Sequence, residues 1–433
     1  MSKWSKKKIK DFAFTASGGT PSTERKEYWH NGTIPWINSG ELSKHDIIKK
    51  PTTYITQEAL DNSSAKLFPI GTVVIALTGA TTGMSAILEI ETSTNQSITG
   101  IFPSKEHDSK FLLYTLHHNI DKILLHNVGS AQPHINKEIV DNLEFNYPIV
   151  PEQYVISKIL STADAVIEKT QAAIAKYKAI KQGMLQDLFT RGIDLNTNKL
   201  RPRFEDAPEL YKESKLGMIP REWDVDVMDT YVSFLRSGLS RLLSDEDIGI
   251  PVMISGNIQE SRFDFSNLKY WYIDDPQGAD TNSYKLTIGD ILICFINSLD
   301  QIGKSAIFEG FKRDVIYTTN LLRMQASKNT NSRFLFYLLN SSITQNELHT
   351  IVKPAVNQAS FTTKDFLKIP VPLVPETEQN VMAEKLTTID KTIDAEQTYL
   401  QKMESLKKGL MEDLLSGKKQ VKVAEEVLTQ SEN

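Results

Sequence analysis

Arg236 and Arg241 enclose the short segment Ser237-Gly238-Leu239-Ser240, and a guanidinium fork in such a segment can bond two acceptors on one guanine edge or bracket a phosphate. The same part of the chain offers further hydrogen-bonding groups at Ser240, Asn257, Asn297, Gln301, Lys304 and Gln358. Upstream, small polar side chains are interleaved with glycine at Ser17 and Thr20, at Thr78, Thr81 and Thr82, and at Ser130, Gln132 and His134, with Asn38 between the first two groups. A glycine-rich backbone lets hydroxyls and amides come close to phosphates and base edges. Each loop taken alone reads equally well as an ordinary turn.

Other chemistry is excluded by what is missing. An adenine methyltransferase holds its flipped base with an Asn/Asp-Pro-Pro-aromatic tetrapeptide, and no Pro-Pro pair occurs. No Gly-x-x-x-x-Gly-Lys-Ser/Thr phosphate loop is present either, so the sequence supplies no ATP-driven motor. The eight histidines are scattered, and the group His117, His118 and His126 has no matching ligand set. Cys294 is the only cysteine, which rules out an internal disulfide, and its apolar surroundings make it core filler. A net charge of -5 and a pI near 6.0 mean that any DNA-binding face is local. With no apolar run of membrane-spanning length and no signal peptide, the expectation is a cytoplasmic protein that binds neither membrane nor metal.

The elements that position these residues emerge from an internal repeat. Sliding the chain by 226 positions lays 153–190 on 379–416 with 12 identities in 38 pairs, ending in Gly183-Met184-Leu185-Gln186-Asp187-Leu188 against Gly409-Leu410-Met411-Glu412-Asp413-Leu414. Both copies start from a proline-rich stretch, Pro148-Ile149-Val150-Pro151 and Pro372-Leu373-Val374-Pro375, as suits a first helical turn whose N–H groups are unpaired anyway. Upstream, Ile70 to Ile75 answers Ile288 to Ile293, and Gly83 to Ile87 answers Gly303 to Ile307. Each half is a mixed domain followed by a helix, and the loops differ where the strands agree.

Within the helical blocks the apolar positions follow a heptad: Leu160, Ile167, Ile174 and Leu188 in the first, Leu386, Ile393, Leu400 and Leu414 in the second, with Lys181 and Lys407 at matching seam positions. The lysines either fix the register of the pair or snorkel to solvent. Some 38 helical residues would span roughly 57 Å, the length of a spacer. The expected fold is α+β: recognition domains at 1–150 and 219–374, helices at 151–192 and 375–417 paired as an antiparallel coiled coil with pseudo-two-fold symmetry, a polar linker at 193–218 and a polar tail at 418–433.

This order of parts, with Leu216-Gly217-Met218-Ile219-Pro220-Arg221-Glu222-Trp223 opening the second half and Glu152-Gln153 and Glu378-Gln379 at the helix starts, resembles the specificity subunits of type I restriction-modification systems over essentially the whole chain. The resemblance implies two target recognition domains, each reading one half of a bipartite, asymmetric site on double-stranded DNA, with the helices as ruler. It also implies docking of two methyltransferase subunits, through which two restriction subunits join. S-adenosylmethionine, ATP and Mg would be bound by those partners and no cofactor by this chain. Two other readings fit the same parts: the specificity subunit of a combined methyltransferase-nuclease, and a coiled-coil scaffold for protein partners.

Overall fold

The computed structural model describes residues 4–125, 134–355 and 358–423. They divide into two compact units, Met1–Gln171 with Thr398–Asn433, and Ala172–Gln397. Ser130 and Gln132, and the tail beyond residue 423, lie outside the described residues.

In unit 1 a five-stranded sheet runs in the order Thr15–Ser17, Ile98–Ile101, Val73–Ala76, Ser85–Leu88, Ile47–Ile48, beside a four-stranded sheet of Thr53–Ile55, Ile34–Ile37, Thr92–Thr94 and Leu67–Phe68. The run Val73–Ala76 is apolar at every position because both of its faces are covered. Val73 and Ile75 enter the core beneath helix α1 (Ser109–His118), while Val74 and Ala76 enter the core on the opposite face. Helix α2 is Val150–Arg191, 42 residues without interruption.

Unit 2 repeats the plan. Val232–Ser237, Leu321–Ala326, Ile291–Cys294 and Ser305–Ile307 form one sheet, and Lys269–Trp271, Ile250–Met253 and Ile316–Tyr317 another. Ile291 and Ile293 face the core under α3 (Ser332–Leu339), and Leu292 and Cys294 face the other. Each second sheet keeps a parallel pair, Ile34–Ile37 with Thr92–Thr94 and Ile250–Met253 with Ile316–Tyr317. Helix α4 is Glu376–Leu415, 40 residues. No helix among the described residues is long and apolar enough to cross a membrane.

The glutamines at the helix starts explain their own repetition. Gln153 donates to the Pro148 carbonyl at 2.9 Å and accepts from the Asp108 amide at 2.9 Å, just where Asp108 caps α1. Gln379 donates to the Val374 carbonyl and accepts from the Asn331 amide, where Asn331 caps α3. One amide thus joins each long helix to the recognition-domain helix beside it, using both ends of the side chain.

The stretch expected to be a linker is folded into unit 2. Gly192, at φ +65°, ends α2 in the left-handed region. Two hairpins follow, Ile193–Asp194 with Lys199–Leu200 and Tyr211–Ser214 with Gly217–Pro220. Between them Arg201 is buried against Glu378. The tail is likewise tied down at its start. Lys418 and Lys419 pair with Glu412 and Asp413, and Val421 packs on the unit 1 core.

One buried histidine gives unit 1 an acid limit. His107 is 5% exposed, and burial lowers its pKa to about 4. Its Nδ1 lies 2.8 Å from Ser104 Oγ, which donates to the Phe12 carbonyl, so Nδ1–H is the donor and Nε2 is the atom that must take up a proton. Unfolded chains bind that proton near pH 6.5 and the folded unit only near 4, so stability falls as pH drops through this window, by about 3 kcal/mol in all. Urea unfolding at pH 7 and pH 4.5 should show a smaller acid loss for H107N than for the native chain. Equal losses would show that His107 does not set the limit.

Candidate nucleic-acid interface

Strand register decides where the polar loops go. In unit 1 the pairings Thr99↔Ser17, Ile98↔Ala76 and Ile75↔Ser85 make Thr15–Ser17 and Val73–Ala76 finish at the same sheet end where Ile98–Ile101 and Ser85–Leu88 begin. That end gathers Ser17, Thr20, Thr78, Thr81 and Thr82. Thr78 forms an antiparallel bridge with His134, and the Asn95 amide donates to the Ile37 carbonyl at 3.0 Å, which brings Asn38 to the same end.

Within this group the side chains are not equally free. Thr82 is 5% exposed and donates to the Gly79 carbonyl, so it shapes the loop. Thr20 donates to Gln96, Ser17 Oγ lies 3.3 Å from Thr99 Oγ1, and Thr81 bonds back to the Thr78 carbonyl at 3.4 Å. Asn38 and His134 are exposed at the surface, and Asn38 accepts from the Gly40 amide while His134 sits in the bridge with Thr78.

Unit 2 makes the equivalent cluster. Ser237↔Leu322, Cys294↔Leu321 and Ile293↔Ser305 bring Arg236, Ser240, Asn297, Gln301 and Lys304 to one sheet end. The small sheet of Ile296–Asn297, Gln358–Ser360 and Lys353–Ala355 adds Gln358. Arg236 is exposed, its guanidinium 4.3 Å above the Tyr284 ring, and it makes no ion pair among the described residues. Lys304 donates to Gln301 at 2.6 Å, and Asn297 donates to Cys294 Sγ and accepts from the Ser298 amide.

Two expected contacts take structural roles instead. Asn257 is 3% exposed, with its carbonyl oxygen accepting from the Ile254 amide and its amide donating to the carbonyls of Asp264 and Asn267. A short polar residue that satisfies a tight turn in this way has nothing left for a base. Arg241 forks onto Asp275 at 2.6 and 3.0 Å, and that contact holds the carboxyl pKa down to about 2. Beside it stand exposed Asp245, Glu246 and Asp247, two of them paired with Lys269 and Arg313. This corner carries more acidic than basic groups, and of the two expected arginines Arg236 is the one without an ion pair among the described residues.

The same sheet ends contain residues that pattern reading passed over: Gln96 in unit 1, and Thr318, Thr319, Asn320 and Lys353 in unit 2. The Thr319 amide bonds the Leu239 carbonyl and the Asn320 carbonyl accepts from Phe295, so this connection lies between the Arg236 and Asn297 loops. The polar tripeptide separating two strand-like runs, Asn95-Gln96-Ser97 or Thr318-Thr319-Asn320, was the available signal.

Along the helices Leu160, Ile174, Leu188, Leu386, Ile393 and Leu414 are buried, while Ile167 and Leu400 are half-buried. Lys181 Nζ lies 2.6 Å from Asp390 within unit 2, and Lys407 Nζ lies 2.5 Å from Asp164 within unit 1. His117 bonds the Ser85 carbonyl and His118 faces Glu412, while His126 lies outside the described residues.

A family model for the type I restriction modification DNA specificity domain matches residues 1–177 and 243–405. The chain belongs to this family. The type I restriction enzyme MjaVIII specificity subunit of Methanocaldococcus jannaschii is 29% identical over 335 residues, covering 74% of this chain and 72% of the relative. The putative MjaX specificity subunit of the same organism is 32% identical over 209 residues, and that match covers 48% of this chain and 49% of the relative. The crystal structure of the type I restriction-modification S subunit from M. genitalium superposes with a TM-score of 0.56 at 15% identity, covering 96% of each chain. At that identity the likeness is one of fold. The residues matched to the specificity domain include all the unit 1 candidates and, in unit 2, Asn257, Asn297, Gln301, Lys304 and Gln358; Arg236, Ser240 and Arg241 fall in the interval between the two matches.

Proposed function

We propose that this member of the specificity family reads a bipartite DNA site, one half with the loops at the Ser17, Thr78 and His134 sheet end and the other with those around Arg236, Asn297 and Gln358. The observation that carries the reading is that one scaffold, duplicated, gathers polar loops at the same sheet end in both units while the loop residues themselves differ. A kept scaffold with divergent loops suits two unlike half-sites.

In this reading the chain performs no bond chemistry. It docks two methyltransferase subunits, and through them restriction subunits, which bring S-adenosylmethionine, ATP and Mg. The helices pair antiparallel as a ruler for the unread bases between the half-sites. Supporting that pairing, Leu160 shares a core with Leu414 while Asp164 meets Lys407, and Leu188 shares one with Leu386 while Lys181 meets Asp390. In each unit, moving forward on one helix means moving backward on the other.

The test is a pair of substitutions, R236A and Q358A, in the complex with its host methyltransferase. Losing one base-edge contact costs about 1–3 kcal/mol at one position. The methylated motif should therefore relax in one half-site and stay unchanged in the other. A motif altered in both halves, or in neither, would contradict the assignment.

A further inference from the structure

Each unit contains the same three-residue cluster, and its members come from three different elements. In unit 1 Tyr114 of α1 donates to Asp164 of α2 at 2.5 Å, Lys407 of α4 reaches the other carboxylate oxygen at 2.5 Å, and its Nζ lies 5.7 Å from the Tyr114 ring centre. In unit 2 Tyr337 of α3 donates to Asp390 of α4 at 2.7 Å, Lys181 of α2 reaches the other oxygen at 2.6 Å, and its Nζ again lies 5.7 Å from the ring centre. The lysine side chains are 23% and 24% exposed. Burial and the neighbouring carboxylate push both tyrosine hydroxyls toward the neutral form, so each remains a donor. Asp164, Lys181 and their counterparts are among the identities that survive the 226-residue shift.

An apolar seam cannot select this alignment unaided. Leu160, Ile167 and Ile174 recur every seven residues, as do Leu386, Ile393 and Leu400, so a slip of one heptad still sets apolar against apolar. The clusters do discriminate. A slip in either direction would set Lys181 against Ala383 or Gln397, and Lys407 against Ser157 or Gln171. None of the four is acidic, so Asp164 would lose its one ion-pair partner among the described residues and the mostly buried Asp390 would keep only Arg262 at 3.7 Å.

We infer that the two Tyr–Asp–Lys clusters are the register-setting residues of the helix pair, and that through it they select the length of DNA left unread between the half-sites. This rests on the two-half-site reading above. The lysines interrupt the seam at matching positions because an apolar side chain there would bind as well and specify less. The tyrosines extend the constraint to the recognition-domain helices, so the domain and the opposing helix share one carboxylate.

The experiment compares three forms of the complex with its host methyltransferase on a library of sites whose spacers vary base pair by base pair. In the first variant both clusters become apolar: K181M, D390L and Y337F together with K407M, D164L and Y114F. The second reverses one pair, K407D with D164K, because Asp164 has no cation but Lys407 among the described residues. The native complex should prefer one spacer over its neighbours by about tenfold or more, a difference of about 1.4 kcal/mol. The apolar form should fall below about threefold with its half-site bases unchanged and its thermal midpoint kept, because well-packed apolar replacements of buried ion pairs are often neutral. The reversed pair should restore the native preference. An apolar form that keeps the native spacer selectivity overturns the inference, as does a loss of selectivity that the reversed pair does not recover. A native complex with no spacer-defined sites would instead refute the two-half-site reading itself, and the register role with it.

Discussion

Replacing Glu378 by glutamine should lower the stability of unit 2 by about 3–5 kcal/mol, the cost of breaking a buried ion pair by removing one partner. Glu378 is 1% exposed and receives Arg201 Nη1 at 2.6 Å, Trp223 Nε1 at 2.8 Å and the Ile193 amide at 2.6 Å. The amide of glutamine would turn a donor toward this set of donors. Arg201, 6% exposed, would keep the Arg191 carbonyl and, as its one carboxylate among the described residues, Glu222, whose side chain is 70% exposed. For a unit of this size the loss corresponds to roughly 10 °C in the unfolding midpoint. Calorimetry on E378Q should show that shift, and the double replacement E378L with R201M should not recover it in full, since it removes the orphan charge but leaves Trp223 Nε1–H and the Ile193 amide without their acceptor. A shift below about 2 °C for E378Q would mean that the cluster is solvated and carries little.

The second large effect concerns spacing. On the antiparallel pairing proposed above, removing residues 168–174 from α2 and 397–403 from α4 would delete one matching heptad from each helix and leave Lys181 and Asp390, and Lys407 and Asp164, in place. The apolar seam and both clusters survive the change, while the helix pair shortens by about 10 Å. At about 3.4 Å per base pair this is close to three base pairs. The original site should cease to be methylated, and methylation recovered from a spacer library should fall on sites shorter by about that amount. Retention of the original spacing would show that the helices are not the ruler.

Much of the architecture could be read from the chain because its cause is local or periodic. Strand runs such as Val73–Ala76 and Ile291–Cys294 announce themselves by continuous hydrophobicity, which their two covered faces require. The long helices show a heptad, and the 226-residue shift exposes the duplication. What escaped reading depends on partners far away in sequence. The stretch after α2 is polar and proline-containing, yet it folds because Arg201 meets a carboxylate 177 residues on. Asn257 looked like a surface amide because its three backbone partners form a turn that periodicity does not describe.

The candidate interface divides in the same way. Glycine-rich loops were visible as loops, but that they converge on one sheet end follows from the order of strands, which the sequence does not spell out. Arg241 lost its place to Arg236 because Asp275, an otherwise unremarked acid, lies across from it. Lys181 and Lys407 were legible as polar interruptions of a seam. Their tyrosine and aspartate partners could be paired with them only in three dimensions.

Sequencing of methylated adenines in a strain that carries this chain with its methyltransferase, against a strain lacking the chain, tests the central claim most directly. The account predicts a motif that depends on the chain and has two short, unlike specified blocks separated by a fixed run of unspecified bases. A single continuous motif, or a methylation pattern indifferent to the chain, would contradict it.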